Sequence, residues 1–363
     1  MIRQQTTPWL AAGVALALGL LTACAPARAH INYAEYVWPP PPDEARIRLD
    51  DIIWGRGDVQ AKSGLQRALL GAAPQNPYQW FKRPFGVDFD AKGRILVTDS
   101  GLGCLFRFDR TARRADVFGT RGTVTLKIPM GIGIGPDDMV YVADIGLRKV
   151  VALDSEGKVR AVFGKEGELE NPTDAAVSAD GARLFVADSK AHRIVVFDVK
   201  TGQLVKTFGR RGLGEGEFAF PTALAIDRAG NLLVVDQINT RIQVLTADGQ
   251  FVEMVGEQGV GFGNFVRPKD VAVDDAGLVY ATDAAFSNVQ IFNEFFELLT
   301  FVGSGGPNPG QFQGAAGVAA QGGRFAVVDQ LGNRVQVFRF IGSKTSEASP
   351  GPGSFRLAPS FRP

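Results

Sequence analysis

Residues 221–256 decide the fold, and they read PTALAIDRAGNLLVVDQINTRIQVLTADGQFVEMVG. Four short apolar runs alternate here with turn signals, among them Asp227-Arg228-Ala229-Gly230 and Ala247-Asp248-Gly249. Alternation with a period of two, β-branched residues and short glycine-containing turns are typical of antiparallel strands. The stretch therefore predicts a four-stranded antiparallel meander.

The same unit occurs six times along the middle of the chain. An aspartate at the end of an apolar run marks each copy, at intervals of 45, 44, 48, 47 and 46 residues: Asp99, Asp144, Asp188, Asp236, Asp283 and Asp329. A period in the mid-forties is typical of a solenoid or a propeller. Four strands copied six times predict an all-β fold, a six-bladed β-propeller of four-stranded antiparallel blades.

The predicted third strands carry a family resemblance. They read AHRIVVF at 191–197, NTRIQVL at 239–245 and NRVQVF at 333–338, each after an aspartate and downstream of the predicted inner strand. The pattern resembles the NHL repeat, in which proline opens the inner strand and the third strand reads like Asn-His-Arg-Val-Gln-Val-Phe. The resemblance covers about residues 45–342. It implies a propeller but no single function, because propellers carry unrelated functions.

The sixth unit lacks a fourth strand, since the chain turns into a polar tail after the third. An incomplete blade would leave an unpaired edge, which proteins cover. Residues 46–55, RIRLDDIIWG, end in an apolar residue and glycine, like the outer strands that end at Phe163 and Phe208. We therefore predict that the N-terminal strand Ile47–Trp54 completes blade six, with Trp54 in the position of Phe163 and Phe208.

The first 24 residues, MIRQQTTPWLAAGVALALGLLTAC, predict an export signal, because their apolar stretch is too short to span a bilayer. The ending Leu-Thr-Ala-Cys resembles the lipobox of bacterial lipoproteins. That resemblance implies lipidation of Cys24 and an exported protein held at the membrane by a lipid anchor. Because Ala25 follows where aspartate would retain the protein at the inner membrane, it favours the outer membrane of a Gram-negative bacterium. Ordinary cleavage after Ala29 is the alternative.

Two further segments flank the predicted propeller of residues 45–342. Residues 25–44 end near four consecutive prolines, which predict a stiff Pro-rich tether. Residues 343–363 are rich in serine, proline and glycine and predict a disordered tail.

Composition argues against several classes of function. Lysine and arginine number 39 against 38 aspartate and glutamate, so the chain has no overall field that would attract nucleic acid. Only His30 and His192 are present, whereas a catalytic zinc site normally takes three protein ligands, often histidines. Related propeller lyases also depend on histidine. We therefore predict no catalytic residue and no nucleic-acid partner.

One enzymatic alternative depends on carboxylates. Alternation along the inner strands predicts that Asp88, Asp174 and Asp270 face the central channel. Three oxygen donors around an axis could hold Ca²⁺. Similarity to propellers of the gluconolactonase kind then implies a metal-dependent lactonase or hydrolase. Asp88 lies two residues deeper than the other two, which weakens this geometry.

The main prediction is a non-enzymatic, cofactor-free binding or scaffolding lipoprotein that presents its propeller to an envelope protein or glycan. Two groups of residues are predicted to bind, both on loops at the rim, where function is usually placed. The first is a basic cluster of Lys190, His192, Arg210 and Arg211. The second lies in the long connector before Pro84, where Tyr78, Trp80 and Phe81 are expected to include partly exposed anchors.

Overall fold

Strands dominate the computed structural model, which describes residues 31–59 and 78–341. Two strands precede the first blade, β1 (Val37–Trp38) and β2 (Ile47–Ile53). The helices are short: a 3-10 turn at Tyr33–Glu35, α1 at Arg56–Val59 and a 3-10 turn at Ser189–Ala191. Within the described ranges, no helix is long and apolar enough to cross a membrane.

The next 23 strands form six blades, each an antiparallel meander that runs from an inner strand outwards. Blade one contains β3 (Pro84–Phe89), β4 (Ile95–Asp99), β5 (Cys104–Asp109) and β6 (Arg114–Phe118). Blade two contains β7 (Pro129–Ile134), β8 (Val140–Asp144), β9 (Lys149–Leu153) and β10 (Val159–Phe163). Blade three contains β11 (Pro172–Val177), β12 (Arg183–Asp188), β13 (Arg193–Asp198) and β14 (Leu204–Phe208).

Blade four contains β15 (Pro221–Ile226), β16 (Leu232–Asp236), β17 (Arg241–Leu245) and β18 (Phe251–Val255). Blade five contains β19 (Pro268–Val273), β20 (Val279–Asp283), β21 (Asn288–Phe292) and β22 (Leu298–Val302). Blade six contains β23 (Ala315–Gln321), β24 (Arg324–Asp329) and β25 (Arg334–Phe340). The predicted six-bladed all-β propeller is confirmed.

The N-terminal strand completes blade six, as predicted. β2 pairs antiparallel with β25, from Ile47 opposite Phe340 to Ile53 opposite Val335. The position of Trp54 was predicted wrongly, however. In blade three, Phe208 pairs with Ile194, the residue after Arg193. In blade six, the equivalent residue is Val335, which follows Arg334 and pairs with Ile53. Ile53 is fully buried, whereas Trp54 already lies in the connector, where its N–H donates to Asp58 Oδ2 at 2.6 Å.

Blade six also has a fifth strand that the sequence analysis missed. β1 pairs with the outer edge of β2, with Trp38 opposite Ile47. The Trp38 ring meets Phe338 edge-on at 5.4 Å between centroids and covers Gly310. The predicted tether of residues 25–44 therefore includes a segment that packs on the propeller. The predicted signal of residues 1–24, Cys24 and the tail of residues 343–363 lie outside the described residues.

The blades pack through apolar side chains that neighbouring sheets share. Tyr141 and Phe163 of blade two, for example, form one core with Val186 and Phe197 of blade three. Burial of such residues from water is the main favourable contribution to folding.

The repeated aspartates fix the loops around each blade. All six are fully buried. Asp99 accepts the N–H groups of Lys82 and Arg83 at 2.7 and 3.0 Å, directly before the inner strand, and the N–H of Leu102 at 2.9 Å. An arginine five residues later pairs with the aspartate in three blades, for example Arg241 Nε with Asp236 Oδ2 at 2.9 Å. These carboxylates therefore belong to the architecture of the repeat.

Candidate functional site

Two faces follow from the strand order. The connectors between blades and the loops from second to third strands share one end of the propeller, which we call the connector face. The turns from first to second and from third to fourth strands share the other end, the turn face. The six inner strands line a central channel that holds a cavity of about 240 Å³.

The three predicted channel aspartates line this cavity, but they do different things. Asp174 of blade three accepts the N–H of Leu224 in blade four at 2.8 Å. Asp270 of blade five accepts the N–H of Val318 in blade six at 2.8 Å. Asp88 accepts only a local bond, from the N–H of Phe89 at 2.7 Å. Two of the carboxyl groups thus tie neighbouring inner strands together.

Burial changes the protonation of these carboxyl groups. It raises the pKa of Asp88 and of Asp270 to about 7, and it raises the pKa of Asp174 well above its ordinary value. Repulsion from Asp270 raises the pKa of the other two further. At neutral pH the channel therefore holds protons as well as negative charge.

The three aspartates do not form a metal-binding cluster. In residues 31–59 and 78–341, no group of three or more His, Cys, Asp or Glu side chains is placed to hold a metal ion. The structure therefore places the predicted calcium ligands on one cavity without bringing them together around one point.

A cation at the mouth of the channel was not among the predicted site residues. Lys269 is the second residue of β19, is partly buried and lines the cavity. The other blades have an uncharged residue at this position: Phe85, Met130, Thr173, Thr222 and Ala316. Alignment of the six inner strands would have shown this exception.

The predicted basic cluster lies on the connector face between blades three and four, and most of it has partners. Lys190 pairs with Glu170 at 3.9 Å, and Arg210 pairs with Glu217 at 2.8 Å. His192 has a left-handed backbone with φ of 57°. Its Nδ1 accepts the N–H of Phe220 at 3.1 Å, and the two rings meet edge-on at 4.7 Å. His192 thus orders two loops, while Arg211 is exposed.

The three predicted aromatic anchors separate into different environments. Phe81 is 6% exposed and packs edge-on against Phe106 and Phe108, so its assignment as an exposed anchor is wrong. Tyr78 packs against the same core at its margin, whereas Trp80 is 44% exposed and lies over Gly57. Phe81 is buried because it stands three residues before an inner strand. Every blade buries an apolar residue there: Phe81, Leu126, Leu169, Phe218, Phe265 and Phe312.

The connector face exposes large apolar side chains that the sequence analysis did not single out. Five of them lie over blades four to six and are between 63% and 86% exposed: Leu213, Ile238, Val260, Phe262 and Leu331. We call this set the apolar rim. Phe262 also stacks on Phe301 at 5.6 Å between centroids. An apolar residue inside a glycine-rich connector is the sequence signal for such a surface.

Comparison with known proteins agrees with this architecture. A family model described as a 6-bladed beta-propeller matches residues 175–233. The protein brain tumor of Drosophila melanogaster is 29% identical over 113 residues, which are 30% of this chain and 10% of that protein. The RING finger protein nhl-1 of Caenorhabditis elegans is 39% identical over 75 residues, 20% of this chain and 8% of that protein. The chain is a six-bladed β-propeller, and parts of it are similar in sequence to these two NHL-repeat proteins.

The matched segments of this propeller span only a tenth or less of the length of those two relatives. Among solved structures it is similar to a gluconolactonase of Xanthomonas campestris, with a TM-score of 0.56 and 15% identity. That likeness covers 81% of this chain and 98% of the gluconolactonase. At this identity it shows a common fold only.

Proposed function

We propose that this propeller is a non-enzymatic binding or scaffolding protein whose connector face receives a protein partner. The observation that carries the proposal is the apolar rim. Its five large apolar side chains are each at least 63% exposed on loops of one face, and exposed apolar surface of this kind is typical of a site that meets another molecule.

The setting of the apolar rim supports a protein partner. Its residues lie on loops held by buried aspartates, such as Asp236 beneath the loop of Ile238, so the surface is presented on a rigid frame. Charged groups of both signs surround it, including Arg211 and Glu257. An apolar centre with a mixed polar margin is the usual composition of a protein interface.

Substitution of the rim tests the proposal. We expect the triple variant Leu213→Ser, Ile238→Ser, Phe262→Ser to lose partners that the natural protein retains when purified from native membranes under mild conditions. Phe295→Ser is the matched control, because Phe295 is 67% exposed but lies on a turn between β21 and β22, on the turn face. Equal recovery of partners by the triple variant and the control would contradict the proposal.

We further propose that the propeller acts at the cell envelope of a Gram-negative bacterium, held at the outer membrane by lipid on Cys24. The Leu-Thr-Ala-Cys ending at residues 21–24 supports this. Cys24→Ala is expected to release the protein from membranes or leave its signal uncleaved, as membrane fractionation and the mass of the chain would show. A cleaved variant that still sediments with membranes would exclude the lipid anchor.

The alternative is a metal-dependent lactonase or hydrolase with an axial cation such as Ca²⁺. Its one supporting observation is that Asp88, Asp174 and Asp270 line the same cavity. Metal analysis of the purified protein, followed by calcium titration of Asp270→Asn beside the natural chain, tests it. Stoichiometric metal that the variant loses would support the enzyme over the scaffold.

A further inference from the structure

We propose that the mouth of the central channel binds a small anion, with a carboxylate or phosphate group held by Lys269 and Arg267. This site lies on the channel axis and goes beyond the protein-binding function proposed for the apolar rim.

The position of Lys269 supports the site. Lys269 is the second residue of β19, and it lines the cavity that the six inner strands surround. Thr222, its counterpart in blade four, points its hydroxyl at the carbonyl of Lys269 at 3.3 Å. Lys269 itself lines the cavity, at the end of β19 that adjoins the connector face.

Lys269 has no counter-ion in the part of the chain that the structure describes, where no carboxylate lies within 4.0 Å of its ammonium group. The adjacent Asp270 is turned away, with its two carboxylate oxygens occupied by the N–H groups of Val271 and Val318, both at 2.8 Å. Burial and the positive charge of Arg267 lower the pKa of Lys269. A partly buried ammonium group without a partner costs free energy, which an anion would recover.

Arg267 supplies the second contact. It is exposed immediately before the inner strand, and its side chain donates to the carbonyl of Ala284 at 3.3 Å. A guanidinium carries five N–H donors in a planar fork, so further donors are available to an oxyanion. The two residues before the inner strands of blades one and two add exposed cations, Lys82, Arg83 and Lys127, whose field would draw anions to the mouth.

The size of the cavity limits the ligand. Its volume of about 240 Å³ is below the roughly 300–1,000 Å³ of sites for drug-sized ligands. Channel carboxyl groups whose pKa is raised hold protons in part at neutral pH, so they repel an anion less than three ionised ones would. The geometry therefore fits a small carboxylate or phosphate.

Anion titration with thermal unfolding tests the site. Inorganic phosphate and succinate are each added to the full-length protein, with sodium chloride at the same ionic strength as the reference. We expect at least one anion to raise Tm above the chloride reference, and Lys269→Met to weaken its apparent affinity at least tenfold. Lys165→Met, an exposed lysine on the connector between blades two and three, should leave the response unchanged. A response to phosphate alone or succinate alone would identify the preferred group.

A second measurement needs no variant. Amine acylation of the natural protein, followed by mass spectrometry of peptides, reports the accessibility of each lysine. The effective anion should slow the modification of Lys269 at least fivefold and leave Lys165 unaffected. Equal modification with and without either anion, or an equal rise in Tm for Lys269→Met and the natural chain, would overturn the proposal. Neither result depends on the apolar rim, so the protein-binding proposal is tested separately.

Discussion

At the scale of single residues, the aspartates of this chain fall into two chemical classes. Asp99 and its five equivalents are buried but surrounded by N–H donors, which stabilise a carboxylate. The channel aspartates accept fewer N–H groups, Asp174 is buried while Asp88 and Asp270 are partly buried, and the charge of Asp270 acts on the other two. Burial and this repulsion account for the raised pKa values of Asp88 and Asp174. The sequence alone distinguishes the two classes, because an aspartate at the end of the second strand occurs in every blade, whereas the channel aspartates occur only in blades one, three and five.

The raised pKa of Asp270 predicts how stability changes with pH. Its folded pKa of about 7 exceeds the ordinary value of 3.8, so the folded state binds more protons than the unfolded state between these values. The contribution of Asp270 to the free energy of unfolding therefore falls as pH rises from about 4 to about 7. Asp270→Asn keeps one acceptor oxygen and removes this loss.

Because Asn can accept only one of the two N–H groups that Asp270 accepts, the variant loses one hydrogen bond at every pH. We expect the stability of Asp270→Asn relative to the natural chain to rise by about 1–3 kcal/mol between pH 4 and pH 8. Urea unfolding at the two pH values measures this difference. Asp275→Asn is the control, because Asp275 is exposed on the neighbouring turn. A variant that is destabilised by the same amount at both pH values would show that the pKa of Asp270 is not raised in the folded protein.

At the scale of strands and loops, the sequence predicted what the repeat dictates and missed what departs from it. The blades and the outer position of β2 follow from apolar alternation copied six times. The placement of Trp54 failed by one residue, because it rested on matching the aromatic–glycine ending Trp54-Gly55 to Phe208-Gly209, whereas Ile53 takes the pairing position of Phe208. Strand β1 was missed because two residues directly before a run of prolines carry too little periodicity.

The site was less predictable than the fold, for a related reason. The charges of Lys190 and Arg210 stand out in the sequence, but their partners, Glu170 and Glu217, are known only from the structure. Exposure of Phe262 and burial of Phe81 depend on whether a connector residue stands three places before an inner strand. Such positions can be recognised only when the six copies are aligned and the burial of each residue is known from the structure.

Close approach of the inner strands predicts a strict need for glycine in blade two. A Cβ added at Gly133 would lie 2.2 Å from the carbonyl oxygen of Ala175 in blade three, which is backbone and cannot move aside. We expect Gly133→Ala to destabilise the propeller by about 1–3 kcal/mol, which thermal or urea unfolding would show. Gly305→Ala is the control, since its nearest neighbour is 3.8 Å away. Equal stability of the two variants would mean that the inner strands can separate freely.

At the scale of the whole molecule, the ring closes through strands from opposite ends of the chain. β2 contributes four fully buried aliphatic side chains to blade six: Ile47, Leu49, Ile52 and Ile53. Its Asp51 pairs with Arg110 of blade one at 2.5 Å, and Asp50 pairs with Arg339 of β25 at 2.8 Å. Blade six is therefore joined to blade one through a strand that comes from before the first blade.

Removal of this strand should unfold the propeller. Burial of an aliphatic side chain contributes about 1.5–3 kcal/mol, so the four of β2 contribute about 6–12 kcal/mol. The net stability of a domain is about 5–15 kcal/mol. We therefore expect a chain that begins at Gly55 to lose cooperative thermal unfolding, whereas a chain that ends at Gly342 keeps the Tm of the natural protein. The single change Leu49→Ala should cost about 2–5 kcal/mol.

The shortened chain also exposes the edge of β25, an apolar strand that would then pair with other molecules. A peptide of residues 45–55 supplies the missing strand in trans and should both restore cooperative unfolding and reduce light scattering. The same peptide with Leu49 and Ile52 replaced by serine should do neither, because it carries the backbone without the buried side chains. If the chain that begins at Gly55 melts like the natural one, closure by β2 does not hold the ring together.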